Sequence, residues 1–298
     1  MWAKSCDGAL VDVFGLQLRL TGQIVASLTA HIGGKQPDSG ARITTDSMQA
    51  YDNFLQGRKH FYLYHNREQN RKAREFLLTS IEYDEKYALA RAMLAWTHVF
   101  VAMNGWSDNR QHSLQEALAL ATHALEPDQA LPIACFVRGL SWREMGEYLK
   151  ALVEAEKAIE LDPNHANAQV LLATLLYQAG RPEEGLEKLL KAMQINPHHP
   201  FNRTFHLGQA CFILHRYDEA IDAFRKAAES NPAPERMHLW LAAAPARNNE
   251  LDEASREAAQ VQTLDPDFSL QRMEQALPLK NHEARDYFLD SLRHTGRS

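Results

Sequence analysis

The chain has 298 residues, 45% of them hydrophobic, and a net charge of −6 from 32 Lys and Arg against 38 Asp and Glu. A mildly acidic surface repels phosphate, which excludes nucleic acid as an expected partner, and no apolar run reaches the roughly 18 residues of a membrane span. Three cysteines, Cys6, Cys135 and Cys211, lie far apart in apolar text and read as reduced thiols; with no secretory leader pattern at the N-terminus, the expected location is cytoplasmic.

In chain order, residues 1–8 read as a short extended segment. From Ala9 to Ile32 the spacing of Val11, Phe14, Leu18, Ile24, Val25 and Leu28 predicts an amphipathic helix. Residues 1–33 thus form an N-terminal piece, and 34–46, with Pro37-Asp38-Ser39-Gly40, a polar linker. A repeat then begins. Small residues at Ala117, Ala151, Gly185, Ala220 and Ala254 recur at spacings of 34, 34, 35 and 34 residues. Such a period marks stacked supersecondary units.

Each unit reads as two helices. The second carries the small anchor and ends near a proline, as in Leu161-Asp162-Pro163, Ile195-Asn196-Pro197, Ser230-Asn231-Pro232 and Leu264-Asp265-Pro266. Proline cannot continue a helix and biases the residue before it away from helical geometry. Between the two helices lie turns at Met145-Gly146-Glu147, Ala179-Gly180-Arg181, His215-Arg216-Tyr217 and Asn248-Asn249-Glu250. Gly and Asn tolerate the left-handed conformation there. Six units follow, at 47–84, 86–126, 130–161, 164–195, 199–230 and 233–264, within an array of 47–265. The first two are irregular; in the second, 44 residues separate Ala73 from Ala117, and Trp106 in its insertion is expected to fold back on its own helices. Gly57, Ala95, Gly139, Ala173, Gly208 and Ala242 supply the small face of the first helices; Leu94, Leu172, Leu207, Leu241, Leu189 and Phe224 fill the core. Residues 266–298 break the period and are expected to form capping helices.

Units three to six resemble the tetratricopeptide repeat: Gly139, Trp142, Ala151, Ala158 and Pro163, and again Leu207, Gly208, Ala220, Phe224, Ala227 and Pro232, stand at the spacing of that pattern. The resemblance implies an all-α fold, a right-handed α-solenoid of about six helix-turn-helix repeats with a short N-terminal helical segment and C-terminal capping helices. A second resemblance is narrower. Trp2-Ala3-Lys4-Ser5-Cys6-Asp7-Gly8-Ala9-Leu10-Val11-Asp12-Val13-Phe14-Gly15-Leu16-Gln17 is similar to the end of a bacterial TolB-like module, and Ala50-Tyr51-Asp52-Asn53-Phe54-Leu55-Gln56-Gly57-Arg58 to the start of the repeat array that follows it. Cys6 stands where that pattern has Tyr. This architecture forms the C-terminal half of class III adenylate cyclase-type proteins. The resemblance implies a relative of a cyclase regulatory tail, one that begins inside the module and has no counterpart of the paired metal-binding aspartates.

No catalytic constellation is legible. Cys-x-x-Cys, His-Glu-x-x-His, calcium-loop, P-loop and Gly-x-Ser-x-Gly patterns are missing, and the 14 histidines, including His60, His65 and the pair His198-His199, read as solvated turn residues. The chain is therefore expected to be non-enzymatic, with no cofactor and no metal. In this repeat class the first helices line the concave surface, which implies an exposed inner face of Tyr51, Phe54, Arg58, Tyr62, Trp96, Phe100, Phe136, Arg143, Asn167, Tyr177, Asn202, Phe205, His206, Gln209, Trp240 and Arg247, with Met93, Leu140, Val170, Thr174, Phe212 and Ala243 among them. Trp, Tyr and Arg recur at binding hot spots. The expected function is a protein–protein interaction scaffold holding a peptide or protein segment in that groove. The alternatives are a regulatory portion of a nucleotide-signalling cyclase and self-association through the apolar face of residues 1–33, which is otherwise expected to fold onto the first repeat.

Overall fold

The computed structural model describes residues 45–63, 66–196, 201–230, 235–266, 268–276, 279 and 281–295. The expected helix of residues 9–32, most of the linker, His65 and the pair His198-His199 lie outside the described residues. The chain divides into two compact units, Met1–Met145 and Gly146–Ser298. Every regular element among the described residues is helical.

Unit 1 contains α1 (Met48–Leu63), α2 (Arg67–Tyr83), α3 (Ala88–Met103), α4 (Arg110–Ala124) and α5 (Pro132–Glu144). Helices α1 and α2 form one hairpin and α3 and α4 a second, with α5 packed on both α3 and α4. Local chemistry sets the starts. Asn66 and Asn109 accept the backbone N–H groups of Gln69 and His112, satisfying donors that a helix N-terminus leaves open. Pro132 opens α5, where its missing N–H costs nothing. Apolar residues in i, i+4 register then close the hairpins, with Ala73 and Leu77 of α2 and Ala117 and Ala121 of α4 fully buried. In the insertion of the second hairpin, Trp106 packs back on Phe100 with ring centres 5.8 Å apart.

Unit 2 contains α6 (Tyr148–Leu161), the hairpins α7 (Ala166–Gln178)/α8 (Pro182–Ile195), α9 (Phe201–Ile213)/α10 (Tyr217–Ser230) and α11 (Glu235–Arg247)/α12 (Leu251–Leu264), and then α13 (Leu270–Ala276) and α14 (His282–Arg293). The turns carry the period in their backbone: Gly146, Gly180, His215 and Asn249 all adopt positive φ, at 81°, 87°, 59° and 62°, and stand 34, 35 and 34 residues apart. At Gly180, His215 and Asn249 that left-handed residue reverses the chain between the two helices of a hairpin. The small anchors are where the helices meet. A side-chain carbon on Gly208 of α9 would lie 2.5 Å from the ring of Phe224 on α10, so the bare backbone is what lets that ring fill the hairpin core. Phe212, Phe224 and Phe288 are fully buried, and each such side chain contributes roughly 1.5–3 kcal/mol on burial.

Candidate binding faces

The residues expected on the inner face divide between the two units and meet different fates. In unit 1, α1, α3 and α5 bring a chain of rings together. Trp96 of α3 sits edge-on to Tyr62 at 5.8 Å and to Phe136 at 4.9 Å, and lies 5.0 Å from Phe61. Phe61 in turn meets Phe100 edge-on at 5.6 Å. Edge-to-face contacts at these separations are the favoured aromatic geometry. Tyr62 is 48% exposed, and Trp96 and Phe100 are half-buried. Arg58 is exposed, its guanidinium 5.6 Å from the Phe54 ring centre. Tyr51 is half-buried, and so is Arg143, whose guanidinium is held by Glu144 at 2.7 Å; that carboxylate also takes Arg110 at 2.8 Å.

In unit 2 the face is largely spent on internal bonds. The Tyr177 hydroxyl of α7 donates to Gln209 Oε1 of α9 at 2.7 Å, and His206 Nδ1 lies 2.8 Å from that hydroxyl and 2.9 Å from the amide oxygen. Asn167 Oδ1 accepts from Arg203 at 3.1 Å, and the buried Arg203 also donates to the Ala192 carbonyl at 3.4 Å. Phe205 is half-buried against Phe224, with centres 5.7 Å apart, and Asn202 is exposed. Trp240 lies under Phe288 of α14 with centres 4.2 Å apart.

The expected exposure is therefore corrected at several positions. Phe54, Phe136, Tyr177, Gln209 and Trp240 are buried, as are Met93, Leu140, Val170, Thr174, Phe212 and Ala243. Phe54 turns into the core against Tyr87, 5.3 Å away; Tyr177 and Gln209 saturate one another; Trp240 is covered by the C-terminal helix. Two contributors are absent from the sequence-based set. Arg203 is one, although a cation one repeat after Asn167 on a first helix is a legible pairing. Residues Tyr287, Phe288 and Leu292 form an aromatic and aliphatic stripe at helical spacing that marks α14 as amphipathic.

Burial also shifts several titrating groups. Burial pushes the Cys211 thiol up to about 11, so no thiolate forms at neutral pH. Burial also raises the phenol of Tyr87 and, with the help of its hydroxyl contact to Tyr287, that of Tyr217. Among the described residues no group of three His, Cys, Asp or Glu side chains could hold a metal, and no helix is long and apolar enough to cross a membrane.

Comparison with known proteins agrees with this architecture. The family described as "Tetratricopeptide repeat" matches residues 205–267, and that described as "Anaphase-promoting complex, cyclosome, subunit 3" matches residues 144–227. The chain has a helical-repeat fold, and residues 205–267 are similar to the tetratricopeptide repeat. Its fold is similar to that of Pseudomonas aeruginosa PilF, at 19% identity and a TM-score of 0.54 over 76% of this chain and 96% of that one. It is also similar to the Cut9–Hcn1 assembly of the APC/C, at 15% identity and a TM-score of 0.61 over 92% of this chain and 46% of that one. Among curated relatives, a Rhizobium meliloti (strain 1021) protein named as an adenylate cyclase is 30% identical over 159 residues, which is 53% of this chain and 26% of that protein. A small glutamine-rich tetratricopeptide repeat-containing protein of Mycosarcoma maydis is 33% identical over 98 residues, 33% of this chain and 27% of that protein. The chain thus spans about a quarter of the length of these two relatives.

Proposed function

We propose that the chain is a non-enzymatic, cytoplasmic scaffold that holds a peptide or protein segment against unit 1, with Tyr62, Trp96 and Phe100 as anchors and Arg58 at the rim. The observation that carries this reading is Tyr62, 48% exposed at one end of a ring chain whose other members are half-buried or buried. Large rigid rings with one wet edge give contact area at little entropic cost, which is why aromatics concentrate at hot spots. Repeats of this kind generally mediate protein–protein contacts, and the buried thiol of Cys211 is in keeping with a reducing compartment. The test is selection of a random peptide library against the full chain. Selected peptides should lose at least about ten-fold in affinity, or 1.4 kcal/mol, when Tyr62→Ala and Trp96→Ala are combined, with the helical signal unchanged. Peptides indifferent to both substitutions would remove this face from the reading.

The relationship to the Rhizobium meliloti protein favours a second reading, in which the chain is a regulatory portion of a cyclase, in cis or in trans, and residues 1–33 are the end of a TolB-like module. Adding the full chain to a class III cyclase core should then change its cyclic AMP output; no change at saturating chain would rule this out.

A further inference from the structure

The turn between α9 and α10 and the middle of α14 bring two phenols together across 70 residues of chain. The Tyr217 hydroxyl meets the Tyr287 hydroxyl, and His215 Nδ1 lies 2.6 Å from the Tyr217 oxygen. Buried Phe212 backs both rings, its centre 6.0 Å from that of Tyr217 and 5.8 Å from that of Tyr287. The His215 ring stands edge-on to both, at 5.9 Å from Tyr217 and 4.8 Å from Tyr287. Both tyrosines are half-buried and His215 is exposed, so the cluster opens on solvent.

This arrangement suits the loss of electrons. In its Nε2–H tautomer, His215 accepts the Tyr217 proton at Nδ1, and Tyr217 accepts in turn from Tyr287, so each phenolic proton has somewhere to go. An acceptor at 2.6 Å is within the reach that proton transfer needs. Burial, with the Tyr287 hydroxyl, holds the Tyr217 phenol above the usual range, so an electron leaves it together with its proton rather than from a phenolate. The Arg247 guanidinium stands 3.9 Å over the Tyr287 ring and opposes loss of an electron there, which makes Tyr217 the first to be oxidised. A phenoxyl radical carries spin on the carbons ortho to its oxygen, and touching hydroxyls bring the ortho carbons of the two rings within reach of one another. Tyr177 also meets a histidine, but it is 1% exposed and its hydroxyl donates to the Gln209 amide, a group with which a radical cannot couple in this way.

We propose that Tyr217 and Tyr287 form an oxidative modification site, at which a haem peroxidase with hydrogen peroxide joins the two rings as dityrosine and so fixes α14 to α10, with His215 as the proton acceptor. Each tyrosine gives one electron to the peroxidase and its phenolic proton, by way of His215, to solvent. The two radicals couple through their ortho carbons, and the two ring hydrogens displaced there move to the oxygens and restore both phenols. Two electrons and two protons leave in all, and they reduce one peroxide to two waters. The site uses no residue of the unit 1 face and stands whether or not that face holds a segment. The test treats the full chain with a haem peroxidase and one equivalent of hydrogen peroxide, then maps the monomeric product with trypsin. Cleavage after Arg216, Arg225, Arg285 and Arg293 releases peptides 217–225 and 286–293, each with a single tyrosine. These two peptides should appear joined, lighter by two hydrogen atoms, and at least about ten-fold more abundant than any other tyrosine pair, since proximity raises effective concentration. Tyr217→Phe and Tyr287→Phe, which keep both rings, should each abolish the joined peptide. His215→Asn keeps a residue suited to the left-handed turn; it should slow formation at least about ten-fold, with recovery on adding imidazole. In the joined product, amides of α14 should exchange at least about ten-fold more slowly than in the untreated chain. Dityrosine spread over other tyrosines, formed only between chains, or not formed at all would overturn the proposal. An unchanged rate in His215→Asn would overturn the role given to the histidine.

Discussion

Trp96 and Trp240 sit on first helices of different units, in similar aromatic company, yet they do different work. Trp96 keeps one edge toward solvent among Tyr62, Phe61 and Phe136, whereas Trp240 is 3% exposed beneath Phe288. The ring alone decides neither fate. Among the described residues, unit 2 lays α14 over Trp240 and knots Tyr177, His206 and Gln209 together, while in unit 1 Trp96 and Phe100 stay half-buried and Tyr62 is 48% exposed. An aromatic stripe on a repeat array is thus a candidate interface only after internal occupants are subtracted.

The contrast is sharpest in the two tryptophans. Trp240→Ala removes a buried ring and leaves a cavity against Phe288 and Phe212, and should cost about 3–5 kcal/mol of unit 2 stability, read as loss of amide protection in α9, α11 and α14. Trp96→Ala should leave unit 1 protection much less changed and appear in binding instead. Equal losses of protection would erase the distinction.

An acid titration separates the units next. Burial, with Arg74 and His112 nearby, pushes His98 down from an ordinary 6.5 to about 4. A neutral folded histidine takes up a proton on unfolding, so its contribution is complete above about pH 6.5 and is lost as pH falls toward 4. That loss amounts to as much as about 3 kcal/mol. His98→Asn should flatten this part of the acid response in α3 and α4. Burial also lowers the pKa of His165 in unit 2, so the acid response of unit 2 should survive the His98 substitution unchanged.

Smaller effects test the cover itself. Gly180→Ala places a side chain at φ 87° and against Asn281, and should cost about 1–2 kcal/mol, with faster exchange at the start of α14 and none of the loss in unit 1. At the bottom of the scale, Arg216→Ala breaks a fully exposed pair with Glu219 and should leave the melting temperature unmoved.

The architecture was legible in the sequence because backbone geometry repeats. Small anchors such as Ala117, Ala151 and Ala220 are fully buried, and the left-handed turn residues fall where Gly146, Gly180, His215 and Asn249 mark the period. The candidate face was only half legible. Counting along a helix places Phe54, Tyr177 and Trp240 on a first-helix stripe, but it cannot say what lies opposite. Phe54 meets Tyr87 from the next connection, Tyr177 meets Gln209 at 32 residues' distance, and Trp240 meets Phe288 from beyond the repeats. Those partners are tertiary facts. Period and pattern fix what a residue shares a helix with, whereas its exposure depends on segments far along the chain.

Repeat arrays also behave as springs, since each hairpin touches chiefly its neighbours. Arg203 alters that mechanics locally. From the first turn of α9 it ties Asn167 at the start of α7 to the carbonyl of Ala192 near the end of α8, so one buried side chain joins three consecutive helices. Under a pulling force, the step from α8 to α9 should therefore resist extension longer than the step from α10 to α11, and Arg203→Met would make unit 2 more compliant without altering its repeat length.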